Sequence, residues 1–407
     1  MDRSFFLVRN KAVDLFRALT MTVMIFVNDM GRAFDVPHWL GHGDWGEDFM
    51  GLADFVFPCF LVAVGMSIPF AVESRYNKGK TTESTLVHIL LRTVALIVMG
   101  VVLVNSEGGY SDTGFFTSLN YRPLAIAAFF LIWNVYPKSW SGKWYKTLLQ
   151  CVGAITLVWM AFTFVDASGN HFAARWWGIL GFIGWSYVFC AISYLLARNS
   201  ACGVYLVWLS LFAIAILTSP LNDAWGGEPI VPMKDNFLGS LLHDTLHIDN
   251  GAHHLLVMSG VCISTLAAKW NALSTGRKMM NEVGVCAGMI ALSLVCHCFW
   301  IFNKLTPTLP WVFMAVAAAV GCYALFSFTA QSRAVKILYT ALKPAGTATL
   351  TVYMIPSLLY VLFQLLEIEW PEWSRAGIVG VMNCLCFVAV TIALGALFEK
   401  LKLKLKV

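Results

Sequence analysis

Charge is what this chain has least of. Only 13% of its 407 residues are Asp, Glu, Lys or Arg and 58% are hydrophobic, whereas soluble domains carry about 25% charge and about 45–50% apolar residues. That balance excludes a water-soluble fold. Long polar connections are missing as well, which leaves no room for a separate soluble domain, so residues 1–407 are expected to form a single membrane-embedded domain. The first eleven residues lack the charged, apolar, small-residue order of a cleavable signal, and the first apolar run is expected to stay as an uncleaved span. None of the 11 cysteines falls outside an apolar run; they read as small packing residues, not as a disulfide framework.

What the sequence has instead is a series of apolar runs. A helix crossing a bilayer needs about 20 mostly apolar residues, and about twelve stretches qualify: 13–29, 54–72, 85–104, 121–137, 146–165, 177–196, 202–219, 251–268, 280–302, 309–329, 345–366 and 374–398. The expected fold is all-α, a polytopic transmembrane helix bundle of about 12 (11–12) spans with the lipid bilayer as its solvent.

Lys and Arg stay cytoplasmic in short loops. Sorted by the alternating connections, about twenty of the 28 fall on one side, including Arg3, Arg9, Lys11, Arg75, Lys278 and the Lys400 to Lys406 tail. About five fall on the other: Arg32, Arg175, Lys234, Lys304 and Arg375. Both termini are therefore expected in the cytoplasm. The net charge of +5 is a topological signal with a basic tail suited to anionic headgroups, and it does not point to nucleic acid.

Polar residues beside spans are expensive and mark function, which directs attention to two outer loops. Residues 30–53 carry Asp35, His38, His42, Asp44, Trp45, Glu47 and Asp48, bracketed by Asn28-Asp29 and Asp54. Asp54 reads equally as a helix cap or as part of a site. His42 is the best single candidate for a base near neutral pH, and the Asn28 amide suits a carbonyl or oxyanion. Residues 220–250 carry Asp223, Glu228, Lys234, Asp235, His243, Asp244, His247 and Asp249, then run into His253 and His254. No metal is expected: His243 and His247 lack a third ligand at fixed spacing, and the side chains of Cys296, His297 and Cys298 diverge on a helix. Arg17 and Arg92, near the cytoplasmic ends of their spans, either snorkel to headgroups or receive a phosphate-bearing ligand.

Several of these residues form a pattern. Asp14-Leu15-Phe16-Arg17 leads into a helix ending Phe26-Val27-Asn28; then come His42-Gly43-Asp44-Trp45 and Ala53-Asp54-Phe55-Val56-Phe57-Pro58. With Arg92 and Gly100, Arg122-Pro123, Asn303-Lys304 and Leu350-Thr351-Val352-Tyr353, this resembles the heparan-alpha-glucosaminide N-acetyltransferase family of transmembrane acyltransferases. The likeness is dense over 13–104, patchy from 251 to 360 and absent between 137 and 200. Two helices in about 146–196 are additional, and the stretch from the histidine to the proline motif is longer.

The resemblance implies that acetyl-CoA enters from the cytoplasm and that its acetyl group passes to the amine of a glucosamine-type sugar across the membrane, with His42 and Asn28 at the site. Asp54 would orient the imidazole, Arg17 and Arg92 would hold the donor's phosphates, and Asp29, Trp45, His253, Asn303 and Lys304 are the candidate acceptor contacts. An amine with a pKa of about 7.7–8.0 is partly protonated at neutral pH, so a base helps; an acetyl-histidine intermediate is the competing path. The host is expected to be bacterial, with the protein in the inner membrane, the acceptor in the periplasm, and a homodimer admitted. Two other readings stand beside this one: O-acetylation of a periplasmic glycan, and a 12-span secondary transporter, although no repeat relates the two halves.

Overall fold

The computed structural model describes residues 3–140, 142–176, 178–232 and 237–407. Lys234 and Asp235 lie outside them, as does the Asp244 side chain. The described residues form helices α1 (Lys11–Met30), α2 (Leu52–Asn77), α3 (Thr82–Asn105), α4 (Tyr121–Trp133), α5 (Trp144–Thr163), α6 (Ile179–Ala197), α7 (Ala201–Thr218), the short α8 (Phe237–Ser240), α9 (Ala252–Trp270), α10 (Thr275–His297), α11 (Leu309–Thr329), α12 (Arg333–Thr347), α13 (Thr349–Leu365), the short α14 (Glu372–Arg375) and α15 (Gly377–Lys400). No strand occurs among these residues.

Every expected apolar run contains a helix. Among the described residues, eight helices are long and apolar enough to cross a membrane, or up to nine when the bent pair α12 and α13 counts as one span. The remaining three runs differ for physical reasons. α1 carries Lys11, Asp14, Arg17 and Asp29, α9 opens on His253 and His254, and α4 is only 13 residues long. In α4 the backbone turns extended at Asn134, three residues before Pro137, which cannot continue a helix. The run 345–366 is broken by an 81° bend at Ala348, whose φ of −123° and ψ of 40° are not helical.

The chain divides into two compact units. The first comprises 1–31, 36–90 and 185–341; the second comprises 32–35, 91–184 and 342–407. In the first, α2 packs along α9, α10 along α11, and α1 against both α2 and α11. The α2–α9 crossing is made by two glycines. A Cβ on Gly65 would lie 1.8 Å from the Val257 carbonyl oxygen, and one on Gly260 would lie 2.1 Å from the Val62 carbonyl oxygen. Small residues at such crossings let backbones touch, the way helices associate where lipid removes the hydrophobic drive, and Ser264 Oγ donates to the Met66 carbonyl at 2.9 Å across the seam. In the second unit α4 packs on α5, and α13 on α4 and α15.

Candidate active site

Proline at position 58 removes the N–H that would close the helix onto the Asp54 carbonyl. Trp311, fully buried on α11, supplies the missing donor: its Nε1 lies 3.0 Å from the Asp54 carbonyl oxygen. The first turn of α2 is thereby tied to α11, and Asp54 is held at a fixed place, 1% exposed.

Both carboxylate oxygens of Asp54 are engaged. Oδ2 accepts from Gly43 N at 2.9 Å and from Gly51 N at 3.1 Å, the second being the reciprocal contact of a helix cap. Oδ1 lies 2.7 Å from His42 Nδ1. The capping reading is thus realised on Oδ2, while Oδ1 is left to His42. Asp54 accepts from these donors, so His42 Nδ1 presents its proton to Oδ1, and in the neutral ring Nε2 is the nitrogen that keeps a lone pair. The His42 side chain is 48% exposed, and Nε2 makes no hydrogen bond to the described residues.

Lys304 closes the group from the loop between α10 and α11. Its Nζ lies 3.2 Å from His42 Nδ1 and 3.9 Å from Asp54 Oδ1. Burial lowers the pKa of this ammonium below the ordinary lysine value, against the opposing pull of the Asp54 charge. Such a carboxylate, imidazole and amine cluster, open on one side, has the layout of an oriented general base.

The loop 36–51 that carries His42 is stapled to the loop 298–308. Asn303, buried at 2% exposure, donates both amide hydrogens inward, to the Asp44 and Glu47 carbonyls at 3.2 Å each. Its Oδ1 accepts from Thr306 N at 2.9 Å. Its polar capacity is used within the protein, which makes it a positioning residue for the loop. Asp48 adds a second staple, accepting from Phe302 N at 2.7 Å and meeting His297 Nε2 at 2.8 Å.

The other sequence candidates fall as follows. Trp45 stands at the loop tip with 74% exposure. His253 is buried, its ring 5.8 Å from Phe57 and 6.2 Å from Trp311. Asn28 is exposed near the end of α1, next to buried Asp29, with no hydrogen bond joining either to His42. Arg17, half-buried, donates to Asp14 at 3.0 Å; Arg92 belongs to the second unit, half-buried on α3. In the 220–250 loop, His243 pairs with Asp249 and His247 lies against Trp185. Trp311 is the participant that sequence reading missed. Pro58 announces an unpaired carbonyl at Asp54, yet nothing local identifies the donor.

No family model matches the chain. Over 97 residues it is 34% identical to the heparan-alpha-glucosaminide N-acetyltransferase of Mus musculus and 32% identical to that of Homo sapiens. Each match covers 24% of this chain and 14% of the relative. Over about a quarter of its length, this helical membrane protein resembles the heparan-alpha-glucosaminide N-acetyltransferases.

Proposed function

We propose that the protein is a membrane acetyltransferase that moves an acetyl group from acetyl-CoA to the amine of a glucosamine-type sugar. The observation that carries this reading is the His42 and Asp54 pair, with Nδ1 held at 2.7 Å and Nε2 without a hydrogen bond among the described residues, in a chain that resembles acetyltransferases over part of its length.

In the proposed reaction the sugar nitrogen attacks the thioester carbonyl while His42 Nε2 removes its proton. The C–N bond forms, the C–S bond breaks, and the CoA thiolate leaves to take up a proton from the imidazolium. Asp54 keeps the imidazole in the productive tautomer and compensates its charge during transfer. Asn28 is assigned to the thioester carbonyl, Trp45 to the sugar face, and Arg17 and Arg92 to the donor's phosphates. Lys304, Asp29 and His253 complete the acceptor end.

The finer topology belongs to the same proposal: about twelve spans, both termini in the cytoplasm, and His42 on the far side of a bacterial inner membrane. The sorting of Lys and Arg supports it. Acetyl-CoA is made and kept in the cytoplasm, so a periplasmic acceptor requires the acetyl group to cross within the protein, and this is the reason for placing the base at one end of a membrane bundle.

The test is transfer of radiolabelled acetyl from acetyl-CoA to glucosamine by the purified, detergent-solubilised protein. Label on the sugar that disappears in His42→Ala supports the reading. Absence of transfer to glucosamine and to a panel of amino sugars, with no CoA release, overturns it.

A further inference from the structure

The surface of α12 carries three stripes of different chemistry. Val335 and Tyr339 look toward α1 and α11, where they line a small cavity with Leu15 and Phe326, and Leu342 on the same side of the helix is buried. Ala334, Ile337, Leu338 and Ala341, spaced i, i+3, i+4 and i+7, form a second stripe. It is exposed, with Ile337 at 61% and Leu338 at 36%. Arg333, Lys336 and Lys343 form the third, with Thr340 among them, and it too is exposed. At about 100° per residue the centres of the three stripes lie roughly a third of a turn apart.

A helix with protein on one side, an apolar stripe on the second and cations on the third fits the place where bundle, acyl chains and headgroups meet. The 81° bend sets α12 nearly square to α13. Spanning helices tilt by about 20° from the bilayer normal on average, so a helix square to one lies close to the bilayer plane. The positive charge is unbalanced. No Asp or Glu occurs from residue 283 to 366, and among the described residues neither Arg333 nor Lys336 has a carboxylate within 4 Å. Lys343 lies near the Glu399 carboxylate. A topological signal requires Lys and Arg on one side of the bilayer; it does not require them on one face of a helix beside an exposed apolar stripe.

We propose that α12 lies in the membrane surface and binds anionic phospholipid, the headgroups met by Arg333 and Lys336 while Ile337 and Leu338 sit among the acyl chains. The occupant is the bilayer's own lipid, because a lipid presents an anion and hydrocarbon together, as the two outward stripes require. The assignment stands independently of the acetyl-transfer reading and of the donor sites at Arg17 and Arg92, since it concerns the outward faces of a helix that carries neither.

The experiment follows hydrogen exchange over residues 333–343 by mass spectrometry, with the full-length protein in nanodiscs of phosphatidylcholine alone or mixed with phosphatidylglycerol. A cation at an anionic surface is worth about fivefold in an equilibrium, so phosphatidylglycerol should slow exchange by about twentyfold through Arg333 and Lys336. The double variant Arg333→Gln, Lys336→Gln should lose that slowing. Ile337→Ser should speed exchange in both kinds of disc. All three side chains are exposed, so the variants keep the fold, and unchanged exchange in α2 and α9 verifies it. Inorganic phosphate added to phosphatidylcholine discs should have no effect. Equal exchange in the two discs, slowing that persists in the double variant, no effect of Ile337→Ser, slowing reproduced by inorganic phosphate, or slowing confined to discs that hold two copies of the protein overturns the proposal.

Discussion

Asp54→Asn isolates the orienting role of one oxygen. The carboxylate accepts two backbone donors on Oδ2, from Gly43 and Gly51, so the amide of the variant places its carbonyl there and turns its NH2 toward His42. Nδ1 then has to accept, the ring proton moves to Nε2, and the base is lost while the loop stays in place. In serine proteases the same carboxylate-to-amide change costs about 10⁴ in kcat through the wrong tautomer, and a loss of about 10³–10⁴ is expected here. A second effect acts on Lys304, which loses a counter-charge 3.9 Å away; that attraction is at most about 4 kcal/mol near a protein surface, less for a partly solvated amine. The assay compares acetyl transfer to glucosamine by wild type, Asp54→Asn, His42→Ala and the double variant, each checked for a cooperative melt. Because the two residues act as one unit, the double variant should be no slower than His42→Ala. Activity of Asp54→Asn within tenfold of wild type, or strictly additive losses, would refute the reasoning.

Lys304 should become neutral at a lower pH than an ordinary lysine, whose value is about 10.4. As pH rises, acetic anhydride labelling of Lys304 followed by mass spectrometry should reach half its maximum before labelling of Lys402; a midpoint at or above that of Lys402 contradicts the burial argument. Trp311→Phe should destabilise by about 1–3 kcal/mol through the unpaired Asp54 carbonyl, and the loss should shrink in a Pro58→Ala background, where the restored N–H pairs that carbonyl; equal losses in thermal melts of the two backgrounds would remove the explanation. Gly260→Ala should sharply reduce the yield of folded protein, since its Cβ meets backbone at 2.1 Å, whereas Gly284→Ala, with nothing near, should be silent in size-exclusion profiles. Asn303→Ala should loosen the loop 36–51, lowering kcat and hastening proteolysis within it while leaving the rest of the chain protected.

Helices were legible because each apolar run satisfies the bilayer's length requirement wherever its other side chains permit. The exceptions trace to single residues: Pro137 beyond α4, Ala348 between α12 and α13, and the polar starts of α1 and α9. For the site, His42, Asp54 and Lys304 were each identifiable as polar groups at an outer boundary. Their convergence was not, because Lys304 is 262 positions from His42 and only the packing of α2 on α11 brings the two loops together. Asn303 shows the opposite limit. A polar residue beside a candidate lysine reads as a ligand contact, and only its saturated hydrogen bonds reveal a staple.

The Pro58 and Trp311 contact fixes the place of Asp54 although its partner His42 rides on a loop. A proline in a spanning helix frees a carbonyl that lipid cannot satisfy, so the sequence must provide a donor from another helix. Trp311 provides it with a side chain that also fills the core. The donor reaches the residue that orients His42, which means the cost of breaking the helix is met by the same bond that locates the carboxylate. A loop histidine alone would sample many rotamers. Here its Nδ1 is referred, through Asp54 and Trp311, to two helices packed in the membrane, and the remaining freedom is that of a loop pinned by Asn303 and Asp48 at its other end. Loosening the loop attachment should therefore lower turnover before it lowers global stability, a separation that the Asn303→Ala variant measures directly.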